Sequence, residues 1–453
     1  MTGLRQDARS APEHSSADAG RTRAALAALS SGTGGAWAVS LAGIGLAFGT
    51  QLLLARLLEP AAFGALFYTF AWAEVLGMMA PLGFDKLLIR ELARQRHESR
   101  WTPAHGILRS AARWTTLGVL VAVAVAVAFG LSLRARLDPA LLPVFWMTAL
   151  LVPVRAWVNL RHGALLGLSR PVAGLMATSV SFSIAFLVLL GLRLFLAPGP
   201  LGALGAAGAA LGAWLASIGL AELQTRRSLA VGGQAPSELR EVKWIREALP
   251  MMLIVAMALL TLKADLILLG ALRGAEEAGV YVTAASLAYL VRLGLVAVNP
   301  ALAPLAVNAQ PGGSERELES VARSASRLAF VPALACAAGL LVFGKWVLAL
   351  FQPEFVAGYG ALAILSIGFL IVSTMGPVET ILLMKNQQRL AAITAVGACV
   401  LNLALNATLI PRFGMQGAAF ATALSMIVWA VAMTVAVQRR LHLRMSIFAR
   451  GGA

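Results

Sequence analysis

Apolar runs separated by short polar segments recur along the chain from about residue 34 to residue 437. Each run is close to the roughly 20 residues with which an α-helix crosses a hydrocarbon layer of about 30 Å. The pattern predicts spans at about 34–57, 62–83, 108–132, 140–162, 171–194, 201–224, 248–272, 278–305, 327–350, 359–384, 390–411 and 415–437. Two of them carry irregularities. "VNPALAPLAVN" after Arg292 is expected to break the eighth span, and "VPVRAWVNLRHG" places two arginines in the fourth. One connection, "FDKLLIRELARQRHESRW", is too charged to span. Its apolar residues recur at helical spacing with basic residues between them, which predicts an amphipathic helix on the inner membrane surface.

Composition agrees with lipid as the main solvent. Of the 453 residues, 59% are hydrophobic and 13% charged, too few charges to coat the two or three cores that a soluble chain of this length would need. The net charge of +16 raises nucleic-acid binding. Its basic residues are not gathered into one patch, however. They fall between the apolar runs, as basic loops facing anionic headgroups do. With the N-terminus inside, 28 of the 37 lysines and arginines lie on the cytoplasmic side and 7 outside, while Lys263 and Arg292 lie within spans. This asymmetry predicts cytoplasmic N- and C-termini and an even number of spans.

The two cysteines, Cys336 and Cys399, sit in apolar runs and suggest neither a disulfide framework nor a metal site. No cleavable signal peptide is expected at the polar N-terminus, and residues 1–20 read as disordered. "LARLLEPAAFGALFYTFAWA" in the first half matches "LGALRGAEEAGVYVTAASLA" in the second, with Gly64 aligned on Gly279. Six spans per half then make a parallel repeat, a common transporter plan. The expected organisation is a tail at 1–32, a six-helix bundle at 33–225, a cytoplasmic linker at 226–246, a second six-helix bundle at 247–438 and a tail at 439–453. The fold class is an all-α multi-span membrane protein of about twelve transmembrane helices.

Three stretches carry a family resemblance: "LLLARLLEPAAFGALFYTFAW" with "PLGFDKLLIRELAR", then "KADLILLGALRGAEEAGVYVTAASL", then "LNLALNATLIPRFGMQGAAFATALS". Together they resemble the polysaccharide biosynthesis proteins, the O-antigen-type oligosaccharide flippases of the multidrug/oligosaccharidyl-lipid/polysaccharide exporter superfamily. The resemblance runs from about residue 34 to 437 and implies two six-helix bundles around a central cavity that opens alternately to each side. The implied cargo is a polyprenyl-diphosphate-linked oligosaccharide, moved across the cytoplasmic membrane for surface polysaccharide synthesis. Implied partners are this lipid-linked cargo, membrane lipids, glycosyltransferases and a polysaccharide polymerase.

Such a cargo needs cationic groups along an aqueous path, and charges within spans are costly enough to mark function. Arg292 in "LAYLVRLGLVAVNP", Lys263 in "ALLTLKADLILL" and Arg155 in "LVPVRAWVNL" are the candidate diphosphate-binding cations. Against this, Arg155 can snorkel to the inner surface, and Lys263 can pair with Asp265, although residues two apart face different sides of a helix. The acids Glu74, Glu379 and Asp265 are candidates for proton or sodium coupling; the bland alternative is an internal salt bridge to Arg155 or Arg292. Asn402 and Asn406, at i and i+4, share a helix face and either contact sugar hydroxyls or pack between helices, and Asn159 is equally open. Trp37, Trp72, Trp146, Trp214 and Trp346 read as interfacial or packing residues, and Pro250, Pro300, Pro304, Pro332 and Pro377 as kinks. Without a Walker-type loop, a Ser/His/Asp pattern or a metal cluster, ATP hydrolysis is not expected. Two other functions stay open: a multidrug or small-metabolite/ion antiporter, and a non-transporting scaffold for synthesis enzymes.

Overall fold

A computed structural model describes residues 34–97, 102–133, 141–196, 199–229, 241–295, 314–385 and 387–441. The N-terminal tail, the C-terminal tail beyond residue 441, about half of the linker and the "VNPALAPLAVN" segment lie outside the described residues. Within them the chain is helical, with no strand. The first half comprises α1 (Gly34–Leu57), α2 (Pro60–Met79), α3 (Phe84–His97), α4 (Thr102–Leu133), α5 (Leu141–Phe145) and α6 (Thr148–Gly167). It continues with α7 (Pro171–Leu175), a π-helical turn (Met176–Val180), α8 (Ser181–Leu196) and α9 (Ala203–Leu229). The second half holds α10 (Glu241–Arg273), α11 (Ala275–Tyr289), a 3-10 turn (Leu290–Arg292), α12 (Ser314–Ala349), α13 (Tyr359–Thr374), α14 (Val378–Met384) and α15 (Gln388–Leu441).

Eleven described helices are long and apolar enough to cross a membrane. The last is two helices joined at Gly414, whose non-helical φ of 55° and ψ of −134° turn the chain so that Asn402 meets Thr422; the described residues thus include part or all of each of the twelve apolar runs. The tenth span is broken. Gly376, at φ 77°, and Pro377 separate α13 from α14, because proline cannot continue the helical bonding and glycine takes the left-handed turn. The linker expected at 226–246 is helical at both ends, since α9 reaches Leu229 and α10 begins at Glu241.

The outer faces are apolar. Val121, Val188 and Val331 are each more than 60% exposed, the arrangement of a protein whose solvent is lipid. Inside the first lobe α6 is central and packs on α2, α3, α4 and α9. In the second, α15 packs on α10, α13 and α14. The lobes meet along a seam where α2 lies against α10 and α11.

That seam is closest at the end remote from the termini. A Cβ at Gly64 would stand 1.7 Å from the Ala275 carbonyl oxygen, and one at Gly279 would stand 2.7 Å from that of Pro60. Only glycine admits so close a backbone approach. Arg56 Nε donates to the Leu350 carbonyl at 2.9 Å across the same end, and Gln352 Nε2 to that of Leu58 at 3.3 Å. Toward the termini, α1 turns increasingly exposed, from buried Leu54 to Leu41 at 60%.

The amphipathic helix forms as expected, as α3. It packs against α4, α6 and α10. Phe84, Leu87 and Leu88 are fully buried beside Trp244 and Ala248, while Arg90 reaches Glu247 of the second lobe.

Candidate functional site

The charges predicted within spans fall into three groups. The first lies where the lobes meet. Lys263 Nζ of α10 sits 2.9 Å from Glu74 Oε2 of α2, an ion pair between lobes whose side chains are 31% and 32% exposed. Glu74 and Arg155 line a cavity of about 220 Å³ together with Gln51, Phe67, Phe182 and Trp214. The Arg155 guanidinium lies 4.2 Å from the centre of the Trp214 ring, which stacks in turn on Phe182 at 3.9 Å. Arg155 reaches this position because Gly77 lets α6 approach α2: a Cβ at Gly77 would stand 2.6 Å from Arg155 Cβ. Asn159 fastens the same contact by donating to the Gly77 carbonyl at 3.3 Å. Lys263 thus pairs with Glu74 of the other lobe, while Asp265, two residues on, takes different partners.

Those partners form the second group, inside the second lobe. Tyr281 Oη and Thr422 Oγ1 donate to Asp265 Oδ2 at 2.5 and 2.9 Å, and the Leu266 amide donates to Oδ1 at 2.7 Å. Asn402 Nδ2 donates to Thr422 Oγ1 at 3.4 Å, and Asn406 Nδ2 to Asn402 Oδ1 at 3.0 Å. Both asparagines are fully buried, and Asn406 Oδ1 has no partner. The chain from Asp265 to Asn406 is therefore an interior polar network joining α10, α11 and α15, away from the cavity wall.

The third group lines a smaller cavity of about 60 Å³ in the second lobe, between Arg292, Glu379 and Trp429. The Arg292 guanidinium lies 5.3 Å from the Tyr289 ring and 5.6 Å from that of Phe369, and its buried Nε and Nη1 make no hydrogen bond. The structure therefore brings Arg155 and Lys263 together at Glu74, and sets Arg292 apart with Glu379.

The first and third groups draw on the corresponding spans of the two halves, although the alignment of Gly64 on Gly279 sets Glu74 opposite Tyr289 rather than Arg292. Glu74, Arg155 and Trp214 come from the second, fourth and sixth spans of the first lobe; Arg292, Glu379 and Trp429 come from the second, fourth and sixth of the other. The signal was present in the chain as Pro153-Val154-Arg155 against Pro377-Val378-Glu379. Trp214 and Trp429 were missed as site residues because an isolated tryptophan in an apolar run reads as packing. Tyr281 and Thr422 were missed because a hydroxyl in a span carries no mark of its partner.

The fold is shared with solved transporters. The chain superimposes on an inward-facing multidrug resistance MATE family transporter of the MOP superfamily with a TM-score of 0.70 at 17% identity, covering 88% of this chain and 94% of that one. The lipid II flippase MurJ in an inward closed conformation gives a TM-score of 0.70 at 12% identity, covering 89% and 87%. The MATE multidrug transporter DinF-BH gives 0.68 at 15%, covering 93% and 96%. No curated protein matches the chain. The model of the polysaccharide biosynthesis protein family matches residues 31–310, and with more than half of its length so covered the chain belongs to that family.

Proposed function

We propose that this membrane transporter is a flippase for a polyprenyl-diphosphate-linked oligosaccharide. It acts in the cytoplasmic membrane for surface polysaccharide synthesis, by alternating access of the space between its lobes. The observation that carries the reading is the cavity between Glu74, Arg155 and Trp214, with Lys263 reaching Glu74 from the other lobe. Two cations and one carboxylate leave an excess positive charge at this seam, in surroundings where charge is weakly screened. An anionic headgroup is favoured there, and an aromatic wall of Phe67, Phe182 and Trp214 suits the face of a sugar. The prenyl chain stays in the bilayer. The same aromatic wall with Glu74 would also accept a lipophilic cation, as a multidrug antiporter requires. Glu74 is already paired with Lys263, and Arg155 adds a further positive charge, so the anion is the better fit. The basic loops beside the termini support a cytoplasmic location for those termini, the side from which the cargo comes.

Coupling to a proton or sodium gradient is assigned in this reading to Asp265. Its carboxylate is 4% exposed and joined to Tyr281, Thr422, Asn402 and Asn406 across three helices, so a change in its charge is felt by the packing of the whole second lobe. Glu74 and Glu379 instead face cavities that also hold arginine.

The test uses proteoliposomes loaded with a fluorescent polyprenyl-diphosphate oligosaccharide, with dithionite bleaching the accessible leaflet. Transfer is expected with the wild-type protein and is expected to be lost in Arg155→Ala and Lys263→Ala at unchanged abundance. Wild-type liposomes that bleach no faster than empty ones favour the scaffold. Transfer of a cationic dye in place of the lipid favours the antiporter.

A further inference from the structure

We infer that Glu74 is an internal stand-in for the cargo's anion, a carboxylate that holds Lys263 while the transporter is empty and is displaced from it when the diphosphate arrives. The inference rests on the anionic cargo proposed above and adds to it the residue that competes with that cargo.

Four observations support it. The Glu74 carboxylate is in direct contact with Lys263 at 2.9 Å, so it occupies the ammonium that an incoming anion would need. Both side chains are about one-third exposed, so the pair is open to exchange and is not sealed like a structural ion pair. Arg155 lines the cavity with Glu74, yet its guanidinium is stacked on Trp214 at 4.2 Å, a position it can hold while receiving a phosphoryl oxygen at its edge. The cavity of about 220 Å³ exceeds the roughly 150 Å³ that admits benzene, so a diphosphate fits beside the carboxylate it replaces.

The exchange also carries information between lobes. Glu74 belongs to α2 and Lys263 to α10, so the pair is an ionic tie across the seam at mid-depth. A diphosphate that takes over Lys263 breaks the tie and leaves Glu74 to Arg155 on its own side of the seam. Occupancy of the cavity thereby weakens one hold between the lobes, and the carboxylate selects for anions strong enough to displace it. A monoanion competes on level terms with Glu74, whereas a diphosphate brings the larger charge.

The experiment is calorimetric titration of the full-length protein in detergent with inorganic pyrophosphate at constant ionic strength. Glu74→Gln is expected to bind about fivefold more tightly than wild type, the factor corresponding to loss of one competing ion pair of about 1 kcal/mol. Adding Lys263→Met or Arg155→Met to Glu74→Gln is expected to remove the gain. Glu319→Gln, which removes an acid paired within its own helix to Arg323 at 3.2 Å, is expected to leave affinity at the wild-type value. Should Glu74→Gln not yield monodisperse protein, Glu74→Asp withdraws the carboxylate by one methylene and is expected to bind about twofold more tightly than wild type. Equal or weaker pyrophosphate binding in the folded Glu74 variant overturns the inference while leaving an anionic cargo standing. So does a gain that persists in both double variants, or an equal gain in Glu319→Gln. Absence of pyrophosphate binding in wild type and in every variant overturns the inference together with the anionic reading of the cavity.

Discussion

Gly64→Ala is expected to pry the lobes apart at the end remote from the termini without unfolding either one. The added methyl would stand 1.7 Å from the Ala275 oxygen and 2.8 Å from the Gly279 amide nitrogen, whereas ordinary contact begins at about 3.4 Å. Backbone atoms occupy the space, so no rotamer change relieves the clash, and α2 and α11 must separate by more than an ångström. Overpacking of this kind costs about 1–3 kcal/mol, a shift of about 5- to 150-fold in the equilibrium between closed and open forms of this end. The strain falls across the seam, so the interiors of the lobes are spared. Leu54→Cys, at a position 1% exposed in the closed form, reports the opening once Cys336 and Cys399 are replaced by alanine. Labelling by a membrane-impermeant maleimide in intact cells is expected to accelerate in proportion to the shift. Gly279→Ala, whose Cβ would meet Pro60 O at 2.7 Å, is expected to accelerate it less. Unchanged labelling in Gly64→Ala at normal abundance would refute the close-seam argument, and the reverse ranking of the two variants would refute its geometry.

Three further outcomes follow from the remaining contacts. Arg292→Ala is expected to abolish cargo transfer in the liposome assay with insertion and abundance intact, because its buried nitrogens have no hydrogen-bond partner to lose; wild-type transfer removes Arg292 from the transport path. Asp265→Asn keeps the shape of its network but not the charge, and is expected to leave transfer insensitive to imposed pH and sodium gradients; a response equal to wild type excludes Asp265 as the coupling group. Gly414→Ala puts a side chain at φ 55° with its Cβ 2.1 Å from Glu277 Oε1, which accepts from the Met415 amide, and is expected to lower stability by about 1–3 kcal/mol in denaturant titrations, where no change would show that the turn relaxes freely.

The passes were readable in the chain because a run of apolar residues long enough to span is a strong signal, and the linking amphipathic helix because its period is helical. The breaks were less so. The π-helical turn at Met176–Val180 has no composition that marks it in the sequence. The turn at Gly414, with φ 55° and ψ −134°, separates two apolar runs only a few residues apart, and nothing in the sequence fixes its backbone angles. In the site, spacing was informative within a helix and silent between helices. The i,i+4 relation put Asn402 and Asn406 on one face, and the i,i+2 relation set Lys263 and Asp265 on different ones, yet neither could name Thr422 or Glu74 as partner. Arg155 and Glu379 occupy matching Pro-Val-X positions, and the exchange of charge between them obscured the match.

The pairing of Glu74 with Lys263 also bears on how the chain is made. The two residues are 189 positions apart, from 74 to 263, so at about 5–20 residues per second Glu74 waits about 10–40 s for its partner to be synthesised. A lone carboxylate in a hydrocarbon layer is costly for that interval. Arg155 emerges earlier, in the same lobe and on the same cavity wall, and is the cation at hand during the wait. The nascent first lobe can thus be held as a neutral intermediate by Arg155 until the seventh span delivers Lys263, which makes arrival of the second lobe a step in completing the first.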